Sequence, residues 1–194
     1  SVVGGDISAA DEVTIAVTAL GDLEGRKPVT RAGAAPGDAV VLLGRIGWAA
    51  AGLALLEAGI DEHPLADAHR RPLVAYGAAL AAARAGVLSS LIDVSDGLLA
   101  DLGHVALASG VRIELSAAAL LRPQQILEAG ERLEVDPFEW LATGGDDHEF
   151  AGTVPGEITA GDVVKGPVVA VSADPAVVFT DREPPERGGH AHFS

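Results

Sequence analysis

Residues 91–101, Leu-Ile-Asp-Val-Ser-Asp-Gly-Leu-Leu-Ala-Asp, constrain the fold more than any other stretch of the chain. The apolar run 87–92, bounded by Gly86 and Asp93, fits a short buried strand. An amphipathic helix opens at about Leu98, with Leu98, Leu102 and Val105 on its apolar face. A strand must therefore become a helix across Asp93–Gly97. Ser95 or Asp96 is expected to cap that helix, since a short side-chain oxygen accepts an orphan N–H of the first turn. Two carboxylates at a strand end, beside a helix N-terminus, could also hold Mg²⁺ next to a bound phosphate. The plainer reading is an ordinary cap and turn, with Asp93 solvated.

The rest of the chain alternates strands and helices irregularly. Val13, Ile15 and Val17 alternate with Thr14, Ala16 and Thr18, the pattern of a strand with one buried face. Val2 and Val3 read as the end of another strand. Gly25, Pro28, Gly33, Pro36 and Gly37 mark 22–38 as a linker, with a domain boundary near Thr30. A strand over 39–43 follows. Gly44 and Gly47 then bracket a loop before a helix over 48–58, which Gly59 ends. Further helices are expected over 73–85, 98–108, 123–129 and 137–142. Further strands are expected over 111–115, 149–154, 163–171 and 176–179. Without strict strand–helix alternation the fold class is α+β, a layered α/β/α domain rather than a doubly wound sheet. Neither a dinucleotide-binding glycine fingerprint nor a phosphate-loop lysine motif occurs.

Composition narrows the function. Acids outnumber bases 28 to 13, a formal charge of −15, which argues against nucleic acid or an anionic membrane as partner. The same charge permits a carboxylate site neutralised by divalent cations. No cysteine is present, so thiolate catalysis and zinc–sulfur sites are excluded for this chain. With no membrane-length apolar run and no visible signal peptide, a cytoplasmic protein is the expectation. The chain has no Met and opens mid-pattern, so it reads as a fragment lacking an N-terminal part.

Three acidic clusters follow apolar or glycine turns: Gly4-Gly5-Asp6, Asp93-Val94-Ser95-Asp96-Gly97 and Gly144-Gly145-Asp146-Asp147. Together they suggest Mg²⁺ held by carboxylates from separate segments. With residues 29–34, Pro36-Gly37-Asp38 and the run Gly144-Gly145-Asp146-Asp147-His148-Glu149-Phe150, this ordered set resembles thiamine-monophosphate kinase. That family belongs to the aminoimidazole-ribotide synthetase-like ATP-binding superfamily.

The resemblance implies that residues 1–30 are the remnant of an N-terminal ATP- and Mg²⁺-binding domain, with a remnant strand. Residues 31–194 would be the C-terminal α/β domain. It implies transfer of the γ-phosphoryl group of ATP to thiamine monophosphate, giving thiamine diphosphate. Gly5, Asp6, Arg31 and Ser95 would bind ATP. Asp6, Asp93 and Asp96 would bind Mg²⁺, and Asp146 and His190 would contact the substrate. Asp146 stands where the family has a Glu, one methylene longer, and His190 where it has a Trp. No catalytic nucleophile is implied, and a homodimer would form through the missing domain. The alternatives are another ATP-dependent enzyme of the superfamily, or a non-catalytic binding or dimerisation module of the same fold.

Overall fold

The computed structural model describes residues 2–120, 124–156 and 168–186. The elements in chain order are β1 (Asp38–Leu43), α1 (Trp48–Glu57), α2 (Pro64–Arg70), α3 (Tyr76–Ala85), β2 (Ser90–Val94), α4 (Leu98–Ser109) and β3 (Val111–Leu115). A short 3₁₀ turn, Ala117–Ala119, precedes α5 (Gln124–Leu133), α6 (Pro137–Thr143), β4 (Glu149–Pro155), β5 (Val168–Val171) and β6 (Val177–Phe179). This is the mixed α+β content expected. The expected strand over 163–171 is described only from Val168, and Pro123 also lies outside the described residues.

Two sheets form, ordered β1-β4-β2 and β5-β3-β6. In the first, β4 pairs antiparallel with both neighbours. Inside it Ser90 and Thr153, directly opposite one another, share a 2.8 Å hydroxyl hydrogen bond and are fully buried. Burying two hydroxyls is affordable only because each partners the other. In the second sheet β3 pairs antiparallel with β5 and parallel with β6. Helix α4 touches strands of both sheets, and its Leu102, Val105 and Ala106 are completely buried. It is the wedge that ties the two sheets into one core.

Local chemistry sets the helix ends. Asp136 accepts from Phe138 N at 3.0 Å and Pro137 occupies the first turn of α6, a capped start with a pre-set φ. His63 Nδ1 accepts from Leu65 N, and Pro64 opens α2, a helix the hydrophobic pattern does not announce. Gly59 lies just past the C-cap of α1 with φ 75°, as expected.

Three expectations need correction. Strand β2 starts at Ser90, so Asp93 sits within the strand opposite Phe150 instead of after it. The helix expected over 73–85 begins only at Tyr76. Residues 13–17 form no strand, nor do Val2 and Val3: Val13, Ile15 and Val17 are 94%, 82% and 84% exposed. A strand needs a neighbour to satisfy its backbone and cover one face, and no described segment pairs with this one.

Hydrogen bonding of the linker backbone to the sheet begins at Thr30. Leu91 N donates to Thr30 O at 2.9 Å. Ser109 Oγ accepts from Gly33 N and Ala34 N and donates to Arg31 O. A Cβ on Gly33 would meet Ser89 O at 2.3 Å, so only glycine allows this approach. The linker is thereby stitched to the outer edge of β2 and the end of α4.

Candidate functional site

Leu43 at the end of β1 faces Phe150, and Val94 at the end of β2 faces Glu149. The loops after β1, after β2 and before β4 therefore leave the same end of the sheet. Helices α1 and α4 start there as well. All three loops are rich in glycine, and contact explains why. Asp146 N donates to Ser95 O at 2.8 Å. A Cβ on Gly145 would lie 2.5 Å from Ser95 O, and one on Gly97 2.5 Å from Thr143 O. The Asp93–Gly97 and Gly144–Asp147 motifs thus interlock through bare backbone.

Asp101 organises the first of them. Its side chain is 4% exposed, and Oδ2 accepts from Asp96 N at 3.0 Å and Gly97 N at 3.1 Å. The expected cap by Ser95 or Asp96 does not form: Gly97 is the N-cap residue and its helix start has no capping side chain of its own. An acid one turn inside the helix reaches back instead, as the Glu of a capping box does. Burial pushes the Asp101 carboxyl above its usual range. Its two backbone N–H bonds oppose the shift, and the negative charges of Asp96 and Asp93 reinforce it. Asp93, Asp96 and Asp101 therefore share one electrostatic field. Asp93 is exposed and Asp96 half-buried.

The second motif zigzags. Asp146 and His148 have φ of 65° and 54°, uncommon for residues other than glycine, and both are exposed. Between them Asp147 turns inward, 5% exposed. Its Oδ2 accepts from Gly47 N at 2.5 Å and its Oδ1 from Ala49 N at 2.8 Å, so it caps α1 from across the fold. Desolvation raises its pKa to about 7 despite those bonds; nearby Glu149 adds to the rise and Arg45 opposes it. Glu149, 2% exposed, accepts from Arg45 N at 3.1 Å and Ala75 N at 2.8 Å. Two buried acids thus fix the loop 44–47. Sequence reasoning passed over Asp101 and Glu149, and counted Asp147 only as part of an acidic cluster suited to Mg²⁺, whereas its oxygens are spent on backbone N–H groups. The available signals were the spacing of Asp101 behind Gly97 and the alternation of Asp147 and Glu149 into β4.

The structure brings Asp93, Ser95, Asp96 and Asp146 to one end of one sheet. Arg31 is exposed, its carbonyl held by Ser109 at the end of α4. Gly5 and Asp6 lie in the exposed segment before Thr30, where among the described residues Asp6 accepts a 3.4 Å bond from Ser8 Oγ. Among the described residues no group of three or more His, Asp or Glu is placed to hold a metal ion, so Asp6 does not complete such a set with Asp93 and Asp96. The segment is held weakly: the exposed Arg84–Glu24 ion pair, 3.2 Å, ties it to α3 near its end, while residues 13–17 pair with no described strand. His190 lies outside the described residues.

Residues 35–167 match the family described as AIR synthase related protein, C-terminal domain. The chain belongs to that family. This AIR synthase related chain is 47% identical over 175 residues to a thiamine-monophosphate kinase of Mycobacterium tuberculosis, covering 86% of itself and 52% of that protein. It is 37% identical over 198 residues to the thiamine-monophosphate kinase of Corynebacterium glutamicum, covering 98% of itself and 60% of the relative. It thus spans little more than half the length of these curated relatives. Among solved structures, AaThiL complexed with AMPPCP and TMP superposes with a TM-score of 0.70 at 30% identity, covering 85% of this chain and 54% of that one. Among the described residues no helix is long and apolar enough to cross a membrane.

Proposed function

We propose that this chain is the C-terminal portion of a thiamine-monophosphate kinase, which transfers the γ-phosphoryl group of ATP to thiamine monophosphate. The 2.8 Å bond from Asp146 N to Ser95 O carries the reading, because it joins the residues proposed for substrate to those proposed for ATP and metal. The kinship with kinases named for that reaction supports it.

The acceptor is a phosphate, already anionic near neutral pH, so no strong base is required. Repulsion between two phosphates and their misalignment make the barrier. In this reading Asp93 and Asp96 hold Mg²⁺. Their carboxylates are hard oxygen donors in a shared negative field, which fits that ion. Bound Mg²⁺ would neutralise phosphate charge. Asp6 would join the set only when its segment is anchored by the part of the protein upstream. Gly5 and Ser95 would contact ATP. Arg31 would fork a phosphate with its planar guanidinium. Asp146 and His190 would contact thiamine monophosphate. The domain division near Thr30, dimerisation through upstream residues and a cytoplasmic location belong to the same proposal.

The test is turnover. A protein extended upstream to the length of its relatives should convert ATP and thiamine monophosphate to thiamine diphosphate in Mg²⁺. The 194-residue chain alone should not. Failure of the extended protein would overturn the reading, and turnover by the short chain would overturn the need for the upstream half.

A further inference from the structure

On the α1–α2 side of the molecule an open cleft of ≈ 250 Å³ is lined by Arg45, Trp48, Pro64, Asp67, Arg71 and Leu73. A smaller adjoining space, also lined by Arg45, Trp48 and Leu73, reaches Asp147 and Glu149. The Arg45 guanidinium carbon lies 4.1 Å from the centre of the Trp48 ring. Stacked in this way, a guanidinium keeps its N–H edge available to an acceptor in its own plane.

Arginines and carboxylates both line this region. Among the described residues neither Arg45 nor Arg71 forms an ion pair. Asp67 approaches Arg70 instead, at 3.5 Å. Asp147 and Glu149 are buried and spend their oxygens on backbone N–H groups of 45, 47, 49 and 75. Among the described residues Asp67, which lines the cleft, leans to Arg70, and Asp147, which feels the charge of Arg45, spends both oxygens on backbone N–H groups, so neither Arg45 nor Arg71 is tied up in an ion pair, in a chain of net charge −15. Beside them Trp48 Nε1 is buried and has no hydrogen-bond partner among the described residues.

We propose that this cleft binds a small molecule bearing an anionic group, phosphate or carboxylate, which Arg45 and Arg71 fork while Pro64 and Leu73 receive an apolar body. The site does not rest on the phosphoryl-transfer reading. The acidic end of the sheet must gather a cation before it can admit a phosphate. The arginine cleft needs none.

That contrast supplies the experiment. Phenyl phosphate and, separately, sodium benzoate are titrated calorimetrically into the 194-residue chain in a metal chelator. The two probes distinguish phosphate from carboxylate. Saturable binding of either is expected, weakened about tenfold or more by Arg45→Gln and by Arg71→Gln, since each removes a charge-assisted fork. Asp93→Asn should leave it unchanged. Circular dichroism checks that each variant is folded; Arg71 is exposed, so its variant keeps the test sound if Arg45→Gln unfolds. No binding of either probe, equal binding in the double arginine variant, or binding only with a divalent cation would each overturn the proposal.

Discussion

Asp147 caps helix α1 from 98 and 100 residues away, one carboxylate oxygen on Ala49 N and the other on Gly47 N. Gly47, with φ 77°, has no side chain to do this itself. Asp147→Ala should therefore destabilise the chain by about 1–3 kcal/mol, the usual cost of leaving buried donors unmet. Chemical denaturation measures it. The pH dependence is a separate prediction. The folded pKa of about 7 lies above the ordinary carboxylate value, so between about pH 4 and 7 the folded chain keeps a proton the unfolded chain has lost. The contribution of Asp147 to stability is then largest at low pH, declines as pH rises to about 7 and is flat beyond. Melts of Asp147→Asn across that range should lack this decline; an identical slope would refute the shift.

The glycines of the interlocked loops are packed against backbone, unlike Gly103 on α4. Gly145→Ala places a methyl 2.5 Å from Ser95 O, a backbone atom that cannot swing away. A loss of about 1–3 kcal/mol is expected, as for other overpacked positions. Gly103, inside α4, has nothing within 4 Å of a would-be Cβ. Gly103→Ala should stabilise by about 0.5–1 kcal/mol through helix propensity. Opposite signs from the same substitution, measured by thermal melting, would establish that contact rather than glycine content governs the loops.

Much of this was legible in the sequence. Helix α4 and strand β3 fall where periodicity puts them, and the motif at 93–97 does turn a strand into a helix. What escaped depends on contacts between distant segments. Asp147 and Asp101 act on backbone N–H groups that no local pattern reveals as unmet. Residues 13–17 show the reverse case. Their alternation is a true strand signal, yet a strand exists only with a neighbour, and none is described beside it. Helix α2 was missed because it is short, although His63-Pro64 is a legitimate start signal.

Asp101 offers a sharper test of the site's scaffold. Asp101→Ala removes the acceptor of both Asp96 N and Gly97 N and should cost roughly 1–2 kcal/mol, as helix-cap removal does. Asp101→Asn keeps one acceptor oxygen and removes the repulsion from Asp93 and Asp96, so it should cost less. Urea denaturation of both variants orders them; equal losses would mean the charge, not the hydrogen bonds, governs the turn.

Asp181 pins the segment after β6 to the 3₁₀ turn. Its carboxylate accepts from Ser116 Oγ at 2.8 Å, Ala117 N at 2.6 Å and Ala118 N at 3.0 Å. Chiefly the Ala118 and Ser116 bonds hold its pKa down at about 2. A depressed carboxylate stabilises fully above its unfolded value and loses that contribution as pH falls through the folded one. Asp181→Asn should therefore melt below the parent near neutrality and converge with it as pH drops from about 4 to 2. A constant gap over that range would contradict the shift.

Asp93→Asn tests the proposed metal site. Asp93 is exposed in β2, and among the described residues it has no ion-pair partner. Its negative charge reaches Asp101, adding to the repulsion there. Without a cation the carboxylate is thus mildly unfavourable to the fold, and the isosteric amide should leave stability within about 0.5 kcal/mol or raise it slightly. With Mg²⁺ present the comparison should reverse. The parent chain gains stability by binding the ion in its folded state only, and the variant gains less. In the enzyme extended to full length, losing one anionic ligand of a phosphate-neutralising ion should cost a few kcal/mol of transition-state stabilisation. The rate would then fall roughly a hundredfold or more. Melting with and without Mg²⁺ reports binding, and steady-state turnover of ATP reports catalysis. A variant with the parent's Mg²⁺-dependent melting shift and the parent's rate would remove Asp93 from the site.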